Sequence, residues 1–162
     1  MPVVTAFYRL PEVYILRIST KGQYAIEAML ALALTQEDEM VSIRQIGEQT
    51  ALSDSYLEQI FSSLRKVDLI ISVRGNRGGY KLARPAVEIT VGEILRAAEG
   101  SLAPVRCTEN GQTCSDQDNC LTQSVWLKFD SVIKEVVDSK TLADLVAAYN
   151  SGNYGSSVDF MI

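Results

Sequence analysis

The three cysteines of this chain, Cys107, Cys114 and Cys120, lie in one short stretch with the spacing Cys-x6-Cys-x5-Cys. The spacers are Thr108-Glu109-Asn110-Gly111-Gln112-Thr113 and Ser115-Asp116-Gln117-Asp118-Asn119. Residues this polar do not pack into a core, so inert buried thiols are disfavoured. Three thiolates on one loop can converge on a metal or a cluster, and thiolate is the preferred ligand of iron–sulfur centres. Two other chemistries stay open on spacing alone. Structural zinc takes four N or S ligands, and this loop offers three. A redox disulfide would leave one cysteine over.

A second constellation is basic. Residues 65–84 carry Arg65, Lys66, Arg74, Arg77, Lys81 and Arg84 against Asp68 alone, a net of +5. Gly75, Gly78 and Gly79 lie among them. Arginine and lysine neutralise phosphates, and glycine lets a backbone approach closely. The whole chain of 162 residues has 15 Lys+Arg against 20 Asp+Glu, a net of −5, which alone would argue against nucleic acid. The charge is unevenly spread, however. Residues 1–85 hold 10 basic and 9 acidic side chains, a net of +1, whereas residues 86–162 hold 5 and 11, a net of −6. The absence of His excludes His-based triads, His metal ligands and the usual titration near neutral pH. No acid/base pair, nucleotide loop or nucleophile constellation stands out, so an enzyme is not expected.

The length suits one domain, or one small domain with an appendage. A 47% hydrophobic and 22% charged composition is that of an ordinary globular protein. No apolar run reaches the roughly 18–20 residues of a membrane span. Residues 1–15 lack the features of a signal peptide, since Arg9, Pro11 and Glu12 interrupt any apolar region. With an odd cysteine count, this points to a reducing cytoplasm.

The elements that must position these groups are marked by four Ser/Thr-x-x-Glu/Gln capping boxes: Thr20/Gln23, Ser42/Gln45, Ser55/Glu58 and Thr90/Glu93. Helices are expected over about 20–36, with Ile26, Leu30, Ala33 and Leu34 on one face, about 42–49, and about 53–67, with Tyr56, Leu57, Ile60, Phe61 and Leu64 at helical spacing. The β-branched run Leu69–Arg74, the turn Gly75–Gly79 and Tyr80–Ala83 then read as a hairpin. Further helices are expected over 90–98, ending at Gly100, over about 121–138, and from Thr141 to about Tyr149. The 121–138 helix has a stripe of Val125, Phe129, Val132, Ile133 and Val136, read as a dimer seam. The fold class is therefore mainly α with a small β-hairpin: a winged helix-turn-helix followed by a long dimerisation helix. The third helix offers Ser55, Glu58, Gln59, Ser62 and Arg65 to a major groove, opposite its apolar stripe.

The segments Ser19-Thr20-Lys21-Gly22-Gln23-Tyr24-Ala25, Ser55-Tyr56-Leu57-Glu58-Gln59-Ile60-Phe61, Leu64-Arg65-Lys66, Val73-Arg74-Gly75 and Gly78-Gly79-Tyr80 resemble the Rrf2 superfamily of bacterial transcription regulators, with its IscR-like, NsrR-like and CymR-like branches. The resemblance covers about residues 17–150. It implies a homodimer on palindromic double-stranded DNA, with Ser55, Glu58, Gln59 and Arg74 reading or approaching bases. The full set assigned to DNA is Ser55, Tyr56, Glu58, Gln59, Arg65, Arg74, Arg77 and Lys81. Glu58 has a competing role as partner in the Ser55 capping box.

The resemblance also implies an iron–sulfur cluster, [2Fe–2S] or [4Fe–4S], on Cys107, Cys114 and Cys120. IscR-like members carry a His three residues after the third cysteine. Here that position is Gln123. The fourth ligand is left open among Gln123, Glu109, Asp116, Asp118, a residue of the partner subunit and an exogenous ligand. Cluster gain or loss would then shift the population of DNA-binding states. A leader over 1–16, with Leu16 as the native start and residues 1–15 mis-annotated or disordered, is expected from where family members begin. The remaining divisions are a DNA-binding domain over 17–100, a cysteine loop over 101–120, dimerisation helices over 121–150 and a flexible tail over 151–162. The alternatives are a cysteine- or sulfur-metabolism repressor acting through a partner protein without a cluster, and an iron–sulfur carrier or redox protein.

Overall fold

The computed structural model describes residues 18–35, 39–75, 78–111 and 121–152. The expected leader, the tip of the wing, most of the cysteine spacers and the tail beyond Gly152 lie outside them. The elements run α1 (Thr20–Ala33), α2 (Ile43–Thr50), α3 (Asp54–Lys66), β1 (Ile70–Val73), β2 (Gly79–Leu82), α4 (Val91–Glu99), α5 (Gln123–Asp138) and α6 (Leu142–Asn150). Short 3-10 turns occupy Ala86–Glu88 and Arg106–Gly111. Three helices and a hairpin in this order are a winged helix-turn-helix, as the sequence indicates.

The helix starts divide by mechanism. Ser42/Gln45 and Thr90/Glu93 form full capping boxes, and so does Thr141/Asp144 before α6. The other two boxes do not form. Ser19, one residue earlier than expected, caps α1 by accepting from the Lys21 and Gly22 amides. Ser53 occupies the cap position of α3, without a side-chain bond, so Ser55 is already helical. The reason lies in the preceding turn. Ala51 ends α2 in the left-handed region at φ 56, and the chain re-enters helix at Asp54, one residue before Ser55.

The core fills the space between α1, α3, α4 and the hairpin. Leu57, Ile60, Phe61 and Leu64 of α3 are fully buried, as their spacing requires. On α1 the buried face is Ala25, Ala28, Met29 and Leu32, and Leu34 stays 38% exposed. That corrects the face read from Ile26, Leu30, Ala33 and Leu34. The run Ala-Met-Leu-Ala-Leu-Ala-Leu is apolar on every side, so periodicity cannot choose a face, and packing against α4 does. α1 also ends at Ala33, short of residue 36.

The hairpin pairs antiparallel from Ile70 opposite Leu82 to Val73 opposite Gly79. It gains an isolated antiparallel bridge that the sequence did not indicate. Val41, just before α2, exchanges backbone hydrogen bonds with Tyr80 at 3.0 and 2.8 Å. A side chain at Gly79 would strike the Val41 backbone, so this position admits only glycine without displacement. The Tyr80 ring lies 4.6 Å from that of Phe61, locking the wing to α3.

α5 crosses α4 where Arg96 pairs with Asp138. Gly92 permits the approach, since a Cβ there would collide with Asp138 and Val137. The α5–α6 corner is pinned to the same domain by Val91 N–H to Lys140 O at 2.9 Å and Leu142 N–H to Ile89 O at 2.8 Å. The stripe of α5 faces outward. Val125, Phe129, Val132 and Val136 are 49, 52, 40 and 38% exposed, whereas the buried residue of this helix is Asp130.

Candidate nucleic-acid interface and cysteine segment

α3 carries its apolar stripe into the core and leaves Ser55, Glu58 and Gln59 exposed on the opposite side. Because the Ser55/Glu58 box does not form, Glu58 is not engaged as a capping partner. Its carboxylate can accept from a cytosine amino group, and Gln59 suits adenine. Acidic Asp54 begins the helix and Arg65 and Lys66 end it, in keeping with the helix dipole.

Two residues of the expected interface also do structural work. Tyr56 is half-buried, its ring set edge-on to Tyr24 at 5.9 Å. Arg65 is exposed, and its guanidinium donates to Ser72 Oγ on β1 at 3.2 Å. Arg74, one residue past β1, is exposed at the root of the wing. Lys81 sits half-buried on β2. Arg77 lies outside the described residues. The face thus joins Ser55, Glu58 and Gln59 on a helix of groove-compatible width to Arg65 and Arg74 at the wing, with Arg65–Ser72 bridging the two elements.

Sequence reasoning missed a contact at the start of α1. Glu99, the last residue of α4, reaches across 80 positions of sequence. Its Oε1 accepts from Ser19 N–H at 2.9 Å, Ser19 Oγ at 2.6 Å and Gly22 N–H at 3.1 Å. Lys21, in the same turn, donates from Nζ to Ser63 Oγ on α3 at 3.3 Å. One signal was available. An acidic residue at a helix C-terminus opposes the dipole there and implies a donor set elsewhere.

Cys107 is half-buried in the 3-10 turn Arg106–Gly111, not in an extended loop, and forms no disulfide among the described residues. Its neighbour Thr108 is buried and donates to Val105 O at 2.9 Å, holding the turn closed. A cleft of about 320 Å³ beside it is lined by Arg96, Leu102, Thr108, Glu109, Asp130 and Lys134, with Lys134 Nζ donating to Asp130 at 2.7 Å. Cys114 and Cys120 lie outside the described residues, as do Asp116 and Asp118. Gln123 opens α5 and is half-buried. Among the described residues no group of three or more His, Cys, Asp or Glu side chains could hold a metal ion. No helix among them is long and apolar enough to cross a membrane.

Comparison with known proteins agrees with this geometry. The model of the Rrf2 family, described as an iron-dependent transcriptional regulator, matches residues 18–148. The chain is 41% identical over 131 residues to the HTH-type transcriptional regulator IscR of Yersinia enterocolitica, covering 81% of this chain and 79% of that one. The IscR of Escherichia coli O1:K1 is likewise 41% identical, over 81% and 80%. Among solved structures, CymR, the global cysteine regulator of B. subtilis, superposes with a TM-score of 0.69 at 37% identity, over 82% of this chain and 98% of that one. The IscR of T. potens gives 0.67 at 38% identity, over 87% and 93%.

Proposed function

Because the chain belongs to the Rrf2 family of iron-dependent transcriptional regulators, we propose that it binds palindromic DNA as a homodimer and adjusts its operator affinity to the state of an iron–sulfur cluster held by Cys107, Cys114 and Cys120. It is a DNA-binding transcriptional regulator, and its relatives are regulators rather than enzymes. The observation that carries the reading is the free polar face of α3 beside exposed Arg74, with the Arg65–Ser72 hydrogen bond fixing their relation.

In this reading Glu58 and Gln59 meet base edges, Arg74 enters at the wing, and Arg65 and Lys81 face phosphates. The outward stripe of α5 pairs with its twin and sets the spacing of the two reading helices. The donor set fits a cluster. Cys107 is free and half-buried at the foot of a polar segment that carries two more thiols, and without His the remaining position falls to a weaker ligand. When bound, such a cluster supplies a centre whose integrity follows iron supply and oxidants. The chain's own part is to hold Cys107 in a closed turn against α5, so that order in the cysteine segment bears on the dimer helix.

The test is anaerobic purification with iron and acid-labile sulfide analysis, followed by visible and Mössbauer spectra. Brown protein that loses its absorbance on replacing all three cysteines by Ala supports the reading. A triple variant that keeps its absorbance overturns ligation by this segment. The likeness to CymR favours a second reading, a regulator of cysteine or sulfur metabolism acting through a partner protein. Protein that binds its operator but contains neither iron nor sulfide selects it. A carrier that donates its cluster would show no specific DNA site at any salt concentration.

A further inference from the structure

We propose that Glu99 is a positioning residue that ties the base of the cysteine segment to the reading helix. Gly100 breaks α4 at φ +88, and the chain from Ser101 onward leads directly to the turn holding Cys107. Glu99 is the last helical residue before the break, so it stands where α4 hands the chain to the segment. Its carboxylate is committed to the first turn of α1, accepting from the Ser19 amide and hydroxyl and from the Gly22 amide. A carboxylate placed there meets first-turn amides without intrahelical partners, sharing that of Gly22 with Ser19 Oγ, and the positive end of the helix dipole.

The same turn holds the next link. Lys21 Nζ donates to Ser63 Oγ, and Ser63 Oγ donates to the Gln59 carbonyl at 3.3 Å. Gln59 belongs to the exposed face of α3. Hydrogen bonds at either end, joined by the covalent first turn of α1 and the Lys21 side chain, therefore link the end of α4, two residues before Ser101, to the reading helix. The sequence is shaped to admit it. A Cβ on Gly22 would lie 2.3 Å from Glu99 Oε1, so a side chain there would evict the carboxylate.

The consequence is reciprocal coupling. If order in 101–111 biases α3 through Glu99, then DNA held by α3 must change order in 101–111 by the same free energy. This rests on the regulatory reading for the signal alone. The coupling itself is measurable in cluster-free protein, whatever the iron analysis returns.

The experiment is hydrogen exchange of 101–111 in the cluster-free full chain, with and without a duplex that the protein has itself selected from a randomised pool. In the parent chain, saturating DNA should slow exchange there by about fivefold or more, the lower end of ordinary coupling. Glu99→Ala should abolish the DNA-dependent difference, and Glu99→Gln, which keeps an acceptor, should restore part of it. Gly22→Ala should abolish it too, with Glu99 intact and a better helix former in place. Lys21→Met cuts the next link and should act alike. A purely structural role would lower the melting temperature and raise exchange across α4 while leaving the DNA-dependent difference. That outcome, or a parent chain showing no difference, overturns the proposal.

Discussion

The guanidinium of Arg65, in the last turn of α3, donates to Ser72 Oγ on β1 at 3.2 Å, so the reading helix and the wing are tied by a polar contact as well as by the Phe61–Tyr80 packing beneath. On the proposed DNA face Arg65 would thereby serve both as a cation and as a strut for the wing. The two roles separate by salt dependence. Ser72→Ala removes the strut without removing charge, and should weaken operator binding severalfold at an unchanged salt slope. Arg65→Ala should weaken it further and reduce the slope by about 1. Because the bond is exposed, either change should alter stability by no more than about 0.5 kcal/mol. Fluorescence anisotropy across a salt series reads affinity and slope, urea unfolding reads stability, and equal slopes for both variants would remove Arg65 from the phosphate contacts.

Glu58 is released from capping by the position of Ser53, which sets it free for bases. Glu58→Ala should therefore leave thermal stability within about 0.5 kcal/mol. It should cost discrimination at one operator base pair by about 1–3 kcal/mol. Selection from randomised duplexes with parent and variant shows the relaxed position directly. A lost helix cap would instead lower the melting temperature and leave the selected sequence unchanged.

The outward stripe of α5 supplies the dimer prediction. Phe129 and Val132 are 52 and 40% exposed on the single chain. Phe129→Glu with Val132→Glu would bury two unpaired charges in a seam, which a homodimer does not tolerate. The variant should sediment as a monomer with its helix content retained. It should also lose operator affinity, because a monomer binds one half-site. A variant that stays dimeric places the seam elsewhere.

Acid sensitivity follows from two capping carboxylates. Burial pushes the Glu93 carboxyl up, but hydrogen bonds from the Arg84 guanidinium and from the Thr90 amide and hydroxyl, with the Arg84 charge, outweigh it and hold the group below its ordinary 4.5. Asp144 is held below its ordinary 3.8, chiefly by the amide of Thr141 and then by its hydroxyl. A depressed carboxyl contributes stability that is present above its unfolded value and lost as pH falls through the folded one. With no His in the chain, stability should be nearly flat between about pH 6 and 8 and should decline below about 4.5. Urea midpoints across pH check this, and Glu93→Gln should flatten the acid limb. A midpoint that rises on acidification would contradict the assignment.

What the sequence determined by itself is whatever a short window contains. Ser42/Gln45 and Thr90/Glu93 close within three residues, the strands Ile70–Val73 and Gly79–Leu82 pair with neighbours close in sequence, and the Leu57–Leu64 spacing specifies a buried face without knowledge of its partner. Tertiary structure decided wherever two local solutions were equally good, or where the partner lay far along the chain. Ser53 displaced Ser55 as the α3 cap because the left-handed Ala51 set where the helix restarts. The face of α1 was chosen by α4, since its run from Ala28 to Leu34 is apolar on every side and carries no preference of its own. The stripe of α5 turned outward because Gly92, Arg96 and Asp138 fix the crossing. Glu99 found its donors at Ser19 and Gly22 because chain closure placed the end of α4 against the start of α1, at a separation no local pattern encodes.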